Sequence, residues 1–128
     1  MQKLQSHVAP WLKEPKNELC AKRSDILRRC LQGGEEEKGL FTLTVPTGGG
    51  KTVSSLAFAL THAVRHGMKR VVYVIPYTSI IEQNAKVFAE ILGPENVLEH
   101  HSQTELADEK GDSETPDARR RRLACENW

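Results

Sequence analysis

The sequence predicts an α/β fold in which a parallel β-sheet carries flanking helices. Three observations lead there. A β-prone run, Phe41 to Val45, breaks at Pro46 into Gly48-Gly49-Gly50-Lys51-Thr52. A helix-sized stretch separates that run from a second apolar run, Val71 to Ile75. The second run is continuous rather than alternating, as a parallel strand covered on both faces requires.

Taken in order, Asn17 to Gln32 carries Leu19, Ile26, Leu27 and Cys30 at near-helical spacing, and Gly33-Gly34 followed by three glutamates reads as a stop and a loop. Phe41, Thr42, Leu43, Thr44 and Val45 form the first predicted strand, ended by Pro46 because proline cannot donate to a sheet ladder. A helix follows in which Val53, Leu56, Ala57, Leu60, Ala63 and Val64 recur at three and four, with Gly67 as its C-terminal cap. Val71 to Ile75 is the second strand. Ser79 to Leu92 repeats the helical pattern through Ile80, Ile81, Ala85, Phe88, Ile91 and Leu92, ends at Gly93-Pro94, and leads to a third strand at Val97 to His100. The expected order is βαβαβ.

At 128 residues the chain is one domain at most, long enough for a core. Its 38% of hydrophobic residues is low for a globular chain, and they concentrate between Leu40 and Leu98. The first fifteen residues and the stretch from Gln103 to Arg122 are polar and expected to be loosely held. The expected organisation is therefore an N-terminal extension over 1–16, a nucleotide-binding segment over 17–102, and a charged linker with the start of a further helix over 103–128. Eighteen basic against seventeen acidic side chains leave a net charge of +1, so no global field steers the chain to nucleic acid or membrane. The run Val71 to Ile75 is far short of a membrane span, and Met1 is followed by polar residues without a signal-peptide core. A cytoplasmic location and no membrane partner are expected. Cys20, Cys30 and Cys125 are odd in number and lack C-x-x-C spacing, which argues for reduced thiols and against zinc.

The glycine loop is the chemically pointed feature. Gly48, Gly49 and Gly50 can adopt backbone angles barred to other residues, so successive N–H groups can converge on one anion at the start of the following helix. Lys51 would reach the β and γ phosphates of a nucleotide, and the Thr52 hydroxyl would bind Mg²⁺. The strict motif has a glycine where this chain has Val45, which alters the exit from the strand more than the cradle. A second anion-binding candidate lies at Ile75-Pro76-Tyr77-Thr78-Ser79, where Thr78 and Ser79 could cap the next helix and its N–H groups could hold a nucleic-acid phosphate. An ordinary helix cap is the competing reading. His100-His101 has no acidic or thiol cluster at ligand spacing and reads as a strand-end pair. Arg119 to Arg122 follows six acids between Glu105 and Asp117, so it reads better as a solvated helix face than as a nucleic-acid patch.

Leu43 to Thr52 and Ile75 to Ala85 together resemble the first two motifs of superfamily 2 helicases. The triple glycine, Ser-Ser-Leu-Ala-Phe-Ala-Leu at Ser54 to Leu60, and Glu-Asn-Trp at Glu126 to Trp128 narrow the resemblance to the signature helicase of type I CRISPR systems. It covers Asn17 to Trp128. The resemblance implies a partial RecA-like lobe, with ATP held over Thr47, Gly48, Gly49, Gly50, Lys51 and Thr52, and Mg²⁺ on Thr52. It implies catalytic roles for Lys51 and Thr52, and a single-stranded DNA path along Tyr77, Thr78, Ser79 and Gln83. Arg23 would stand near the adenine. The implied partners are single-stranded DNA, the remainder of the helicase and its CRISPR surveillance complex.

Several family features are missing. No His-Asp dipeptide occurs, so the metal-nuclease signature is absent, and the one Asp-Glu pair, Asp108-Glu109, lacks the preceding strand of the acidic Mg²⁺ motif. The second lobe with its transition-state arginines is also absent. By its resemblance the chain looks like the front half of one lobe, able to bind nucleotide but not to turn it over. An open sheet of this kind is expected to be marginal or to associate. A stand-alone nucleotide-binding module and a truncated, non-functional remnant are the alternatives.

Overall fold

The computed structural model describes residues 1–13 and 17–101, the Trp11 side chain excepted. The chain divides into two compact units, Met1–Val74 and Ile75–Trp128. The first holds three helices, α1 (Gln2–Lys13), α2 (Glu18–Gly33) and α3 (Lys51–Arg65); the second holds α4 (Thr78–Leu92) and a single 3₁₀ turn, Pro94–Asn96.

Helix α2 starts where its sequence says it should. Asn17 is extended, and its side-chain oxygen accepts from Cys20 N–H at 2.9 Å, satisfying one of the amides that a helix start leaves over. Glu18–Lys22 and Asp25–Arg29 pair at four-residue spacing with the acid on the N-terminal side, the favourable order. The opposite face buries Ser24, Leu27 and Cys30, and it packs against α3. Helix α3 answers with Val53, Ser54, Leu56, Ala57, Thr61 and Ala63, of which Ala57 is fully buried. Its end is a Schellman motif: Met68 N–H donates to Ala63 C=O at 2.8 Å and Gly67 N–H to Val64 C=O at 3.3 Å, with Gly67 at φ +63°.

The side of α3 towards the α2–α3 connection carries an aromatic and histidine stack. Phe58 and His62 lie parallel with centroids 5.7 Å apart, and Phe41 meets both edge-on. His62 Nδ1 lies 3.1 Å from Gly34 O and His66 Nε2 lies 2.8 Å from Glu36 O. A carbonyl oxygen only accepts, so each contact fixes the tautomer with its proton on that nitrogen.

Two expectations are corrected here. The first fifteen residues are not loose throughout: Gln2–Lys13 is helical, with Leu4 and Val8 buried four residues apart and α1 packed against α2. The polar composition of that segment hid a two-residue apolar stripe, which is enough to dock a short helix. The larger correction concerns the fold class. Among the described residues there is no strand and no sheet, so the parallel β-sheet with flanking helices, and with it the partial RecA-like arrangement, is not found. Residues 41–45, 71–75 and 97–100 run as non-helical, unpaired backbone.

The physical reason lies in what a strand needs. Helical periodicity is satisfied within a segment, whereas β-propensity describes fitness for a pleated surface that neighbours must supply. A parallel strand buries both faces. Here Leu40 is 97% exposed and Val74 91% exposed, and Val72 is exposed as well, so no neighbouring layer covers these runs. Val45 alone among residues 41–45 is buried, and it is buried against the glycine loop. The linker over 103–128, with Asp108-Glu109, Arg119 to Arg122, Cys125 and Glu126 to Trp128, lies outside the described residues.

Candidate nucleotide-binding site

The glycine loop is built by two left-handed residues and one close contact. Gly49 N–H donates to Pro46 C=O at 3.0 Å, closing a turn over Pro46, Thr47, Gly48 and Gly49 in which the third residue, Gly48, has φ +82°. A turn of that form requires glycine or asparagine at its third position. Gly50, at φ +76° and ψ +33°, is the residue before α3 and offers no side chain to cap it. Between them, Gly49 is buried against α2: a methyl group there would overlap Val45 Cγ1 and stand 3.0 Å from Pro46 O and 3.3 Å from Ile26 Cδ1.

This geometry assigns the donors. The hydrogen-bond ladder of α3 begins with Ser54 N–H donating to Gly50 C=O at 3.0 Å. The N–H groups of Lys51, Thr52 and Val53 therefore have no intrahelical acceptor, and no side chain caps them. They coincide with the positive end of the helix dipole. Lys51 is exposed and makes no ion pair among the described residues, and Thr52 is half-buried with no hydrogen bond to its hydroxyl. An uncapped helix start beside an unpaired ammonium and an unpartnered hydroxyl fits a triphosphate with its Mg²⁺: the amides and Lys51 would hold phosphate oxygens, and Thr52 would face the cation.

The assignment differs in one respect from a cradle of successive glycine amides. The Gly49 amide is already committed to Pro46, so the open donors of the helix start sit two residues later, from Lys51 onward. Thr47 is an exposed residue of the same turn. Behind the site, Tyr73 O–H donates to Ser55 Oγ at 3.3 Å, and Ser55 O–H donates to Thr52 C=O at 2.9 Å. Burial pushes the Tyr73 hydroxyl above its ordinary range, opposed in part by the bond to Ser55.

One residue makes a contact that the sequence reading does not name. Arg23, on α2, does more than stand upstream of the loop: its Nε donates to Gly48 C=O at 2.8 Å across twenty-five residues of chain. Arg23 and Ile26, three apart and so on one face of α2, thus meet the loop on either side of the Gly48–Gly49 peptide. The available sequence signal was this spacing.

In the second unit, Tyr77 is the residue before α4 and is exposed, Thr78 opens the helix half-buried, and Ser79 and Gln83 are exposed one turn apart. Neither Thr78 nor Ser79 caps the helix. Tyr77 takes that place without a side-chain hydrogen bond, while its carbonyl accepts from both Ile80 and Ile81 N–H at 3.1 Å. The four residues form a polar, accessible stripe at the start of α4. Farther along, Glu82, Glu99 and His101 each bring a ligand atom within 4.8 Å of the others. His101 Nε2 lies 2.7 Å from Glu99 Oε1. Glu99 is a sequence neighbour of the histidine pair, and folding adds Glu82 beside His101. No helix among the described residues is long and apolar enough to cross a membrane.

Comparison with known proteins gives a family match. The family model described as "Type III restriction enzyme, res subunit" aligns with residues 11–121, which take in the glycine loop, all of α2, α3 and α4, and the polar stripe. No curated protein and no solved structure matches the chain.

Proposed function

Because the chain belongs to the type III restriction enzyme res subunit family, a superfamily 2 helicase-like family whose members typically use ATP and Mg²⁺, we propose that it binds Mg·ATP at the start of α3 as the nucleotide-binding segment of an ATP-dependent single-stranded DNA motor. The observation that carries this reading is the uncapped α3 terminus, where left-handed Gly50 leaves the amides of Lys51, Thr52 and Val53 open beside a lysine that makes no ion pair among the described residues. Lys51 supplies the charge for the β and γ phosphates and Thr52 the hydroxyl for Mg²⁺. Tyr77, Thr78, Ser79 and Gln83 are the DNA-facing residues of the proposal, since exposed hydroxyls and amides at a helix start suit backbone phosphates.

The finer assignment is to CRISPR defence, with the remainder of the helicase and a CRISPR surveillance complex as partners. It rests on the wording of Ser54 to Leu60 and of Glu126 to Trp128. Turnover by this chain alone is not expected. Phosphoryl transfer needs an acidic group on the metal beside the Thr52 hydroxyl and cationic stabilisation of the transition state, and the glycine loop supplies only part of this.

Titration of the full chain with Mg·ATP, with and without a single-stranded oligonucleotide, tests the proposal. Saturable binding that is lost in Lys51→Ala is the expected result, with no steady hydrolysis. Steady turnover stimulated by single-stranded DNA would overturn the claim of incompetence. Binding that Lys51→Ala leaves intact would overturn the site.

A further inference from the structure

We propose that Arg23 is a positioning residue for phosphate binding, acting through the Gly48 carbonyl rather than through the base of the nucleotide. The inference rests on the nucleotide reading above and deepens it.

A single peptide plane is held from two sides. In the Gly48–Gly49 peptide the carbonyl and the N–H point in opposite directions, as in any trans peptide. The carbonyl accepts from Arg23 Nε at 2.8 Å, and the N–H donates to Pro46 C=O at 3.0 Å. Both polar groups of this peptide are therefore held by protein, and its orientation is fixed. Ile26 closes the third side, its Cδ1 3.3 Å from where a Gly49 methyl group would stand. Three consecutive glycines would otherwise be the freest backbone in the chain, and a ligand that bound them would have to order them first.

The position of the donors makes the fixed peptide matter. The phosphate-facing amides begin at Lys51, and left-handed Gly50 alone joins them to the pinned peptide. Holding Gly48–Gly49 against α2 therefore sets where the helix start points. The bond is charge-assisted on the donor side, the stronger kind of hydrogen bond. It also commits Nε of Arg23 to the loop, on the side of α2 that carries Ile26. Residues on α2 and in the loop supply every part of this arrangement, all within the first unit.

A base-free probe separates this role from an adenine contact. Inorganic tripolyphosphate with Mg²⁺ has the charge of the nucleotide tail and nothing for a base-binding arginine to touch. The measurement is calorimetric titration of wild type, Arg23→Ala and Lys51→Ala with tripolyphosphate and with ATP. It is paired with hydrogen exchange at the Gly49 amide in the absence of ligand. Arg23→Ala is expected to weaken both ligands by the same factor, about tenfold, and to speed Gly49 exchange. Added ethylguanidinium should restore part of the tripolyphosphate affinity. Loss of ATP affinity with unchanged tripolyphosphate affinity would place Arg23 on the base and overturn the proposal. Weaker binding of both with unchanged Gly49 exchange would make Arg23 a direct phosphate contact and overturn it equally. Should Arg23→Ala lower the melting midpoint, Arg23→Gln, which keeps most of the side-chain stem and loses the charge, is read in the same way. Wild-type chain that binds neither probe would sink the nucleotide reading itself, whereas wild-type binding that Arg23→Ala leaves unchanged sinks only this inference.

Discussion

Replacing Gly49 by alanine adds one methyl group where the glycine loop rests on α2, and the surroundings set its cost. The new carbon would overlap Val45 Cγ1, stand 3.0 Å from the Pro46 carbonyl oxygen and 3.3 Å from Ile26 Cδ1. The Ile26 tip can turn aside. Val45 is itself buried, so rotating it disturbs packed atoms, and the Pro46 carbonyl is backbone that already accepts the Gly49 amide. Forcing an extra methyl into a filled site costs about 1–3 kcal/mol, and the backbone neighbour argues for about 2 kcal/mol or more here. Gly48→Ala is the matched control: no atom lies within 4 Å of its added methyl, but φ is +82°. Its cost is purely conformational, about 1–2 kcal/mol for a left-handed non-glycine residue. Urea denaturation at 25 °C reads both. With a slope of about 2 kcal/mol/M, Gly49→Ala should move the midpoint down by about 1 M without changing the slope. It should also weaken Mg·ATP, because the loop must lift from α2 to make room. A Gly49→Ala chain as stable as wild type, with unchanged ATP affinity, would refute the claim that the loop is seated on α2.

Four further outcomes are expected. Lys51→Ala should abolish Mg·ATP binding while leaving the ligand-free stability within about 0.5 kcal/mol of wild type, because exposed Lys51 has no ion pair among the described residues to lose; a matching fall in stability would contradict it. Leu27→Ala, at a side chain 0% exposed between α2 and its neighbours, should cost about 2–5 kcal/mol in denaturant unfolding. Asn17→Ala should cost about 1 kcal/mol through the lost cap on Cys20 N–H, a loss that Asn17→Asp should largely avoid. Burial raises the Cys30 thiol above its ordinary 9.0, so the folded chain keeps that proton where the unfolded chain gives it up. Its contribution is present below about pH 9 and is lost as pH rises further, and the alkaline fall in stability should be shallower in Cys30→Ala.

The helices were legible from the sequence because the information that makes a helix is local. The 26-27-30 spacing, the three-and-four recurrence from Val53 to Val64 and the Gly67 terminator each act within a few residues, and α2 and α3 form where those signals stand. The glycine loop was legible for the same reason. Its finer chemistry was not, since the commitment of the Gly49 amide to Pro46 and of Arg23 to Gly48 appears only once α2 and the loop are side by side. The strands failed for the converse reason. Val71 to Ile75 and Phe41 to Val45 have the composition of buried strands, but their pairing and cover must come from elsewhere, and Val72 and Val74 remain exposed. Helix α1 was hidden by its polar residues, although Leu4, Val8 and Leu12 recur every fourth residue. At α4 the hydroxyls of Thr78 and Ser79 suggested a cap, but the helix begins one residue earlier in the pattern, with Tyr77 outside it.

The central claim is that the amides at the start of α3, with Lys51, receive the phosphates of ATP. Amide chemical shifts of the isotopically labelled full chain, followed as Mg·ATP is added, test it most directly. The account predicts saturable changes that are largest at Gly50, Lys51, Thr52 and Val53, and absent in Lys51→Ala. Changes centred elsewhere, or none up to millimolar nucleotide, would contradict it.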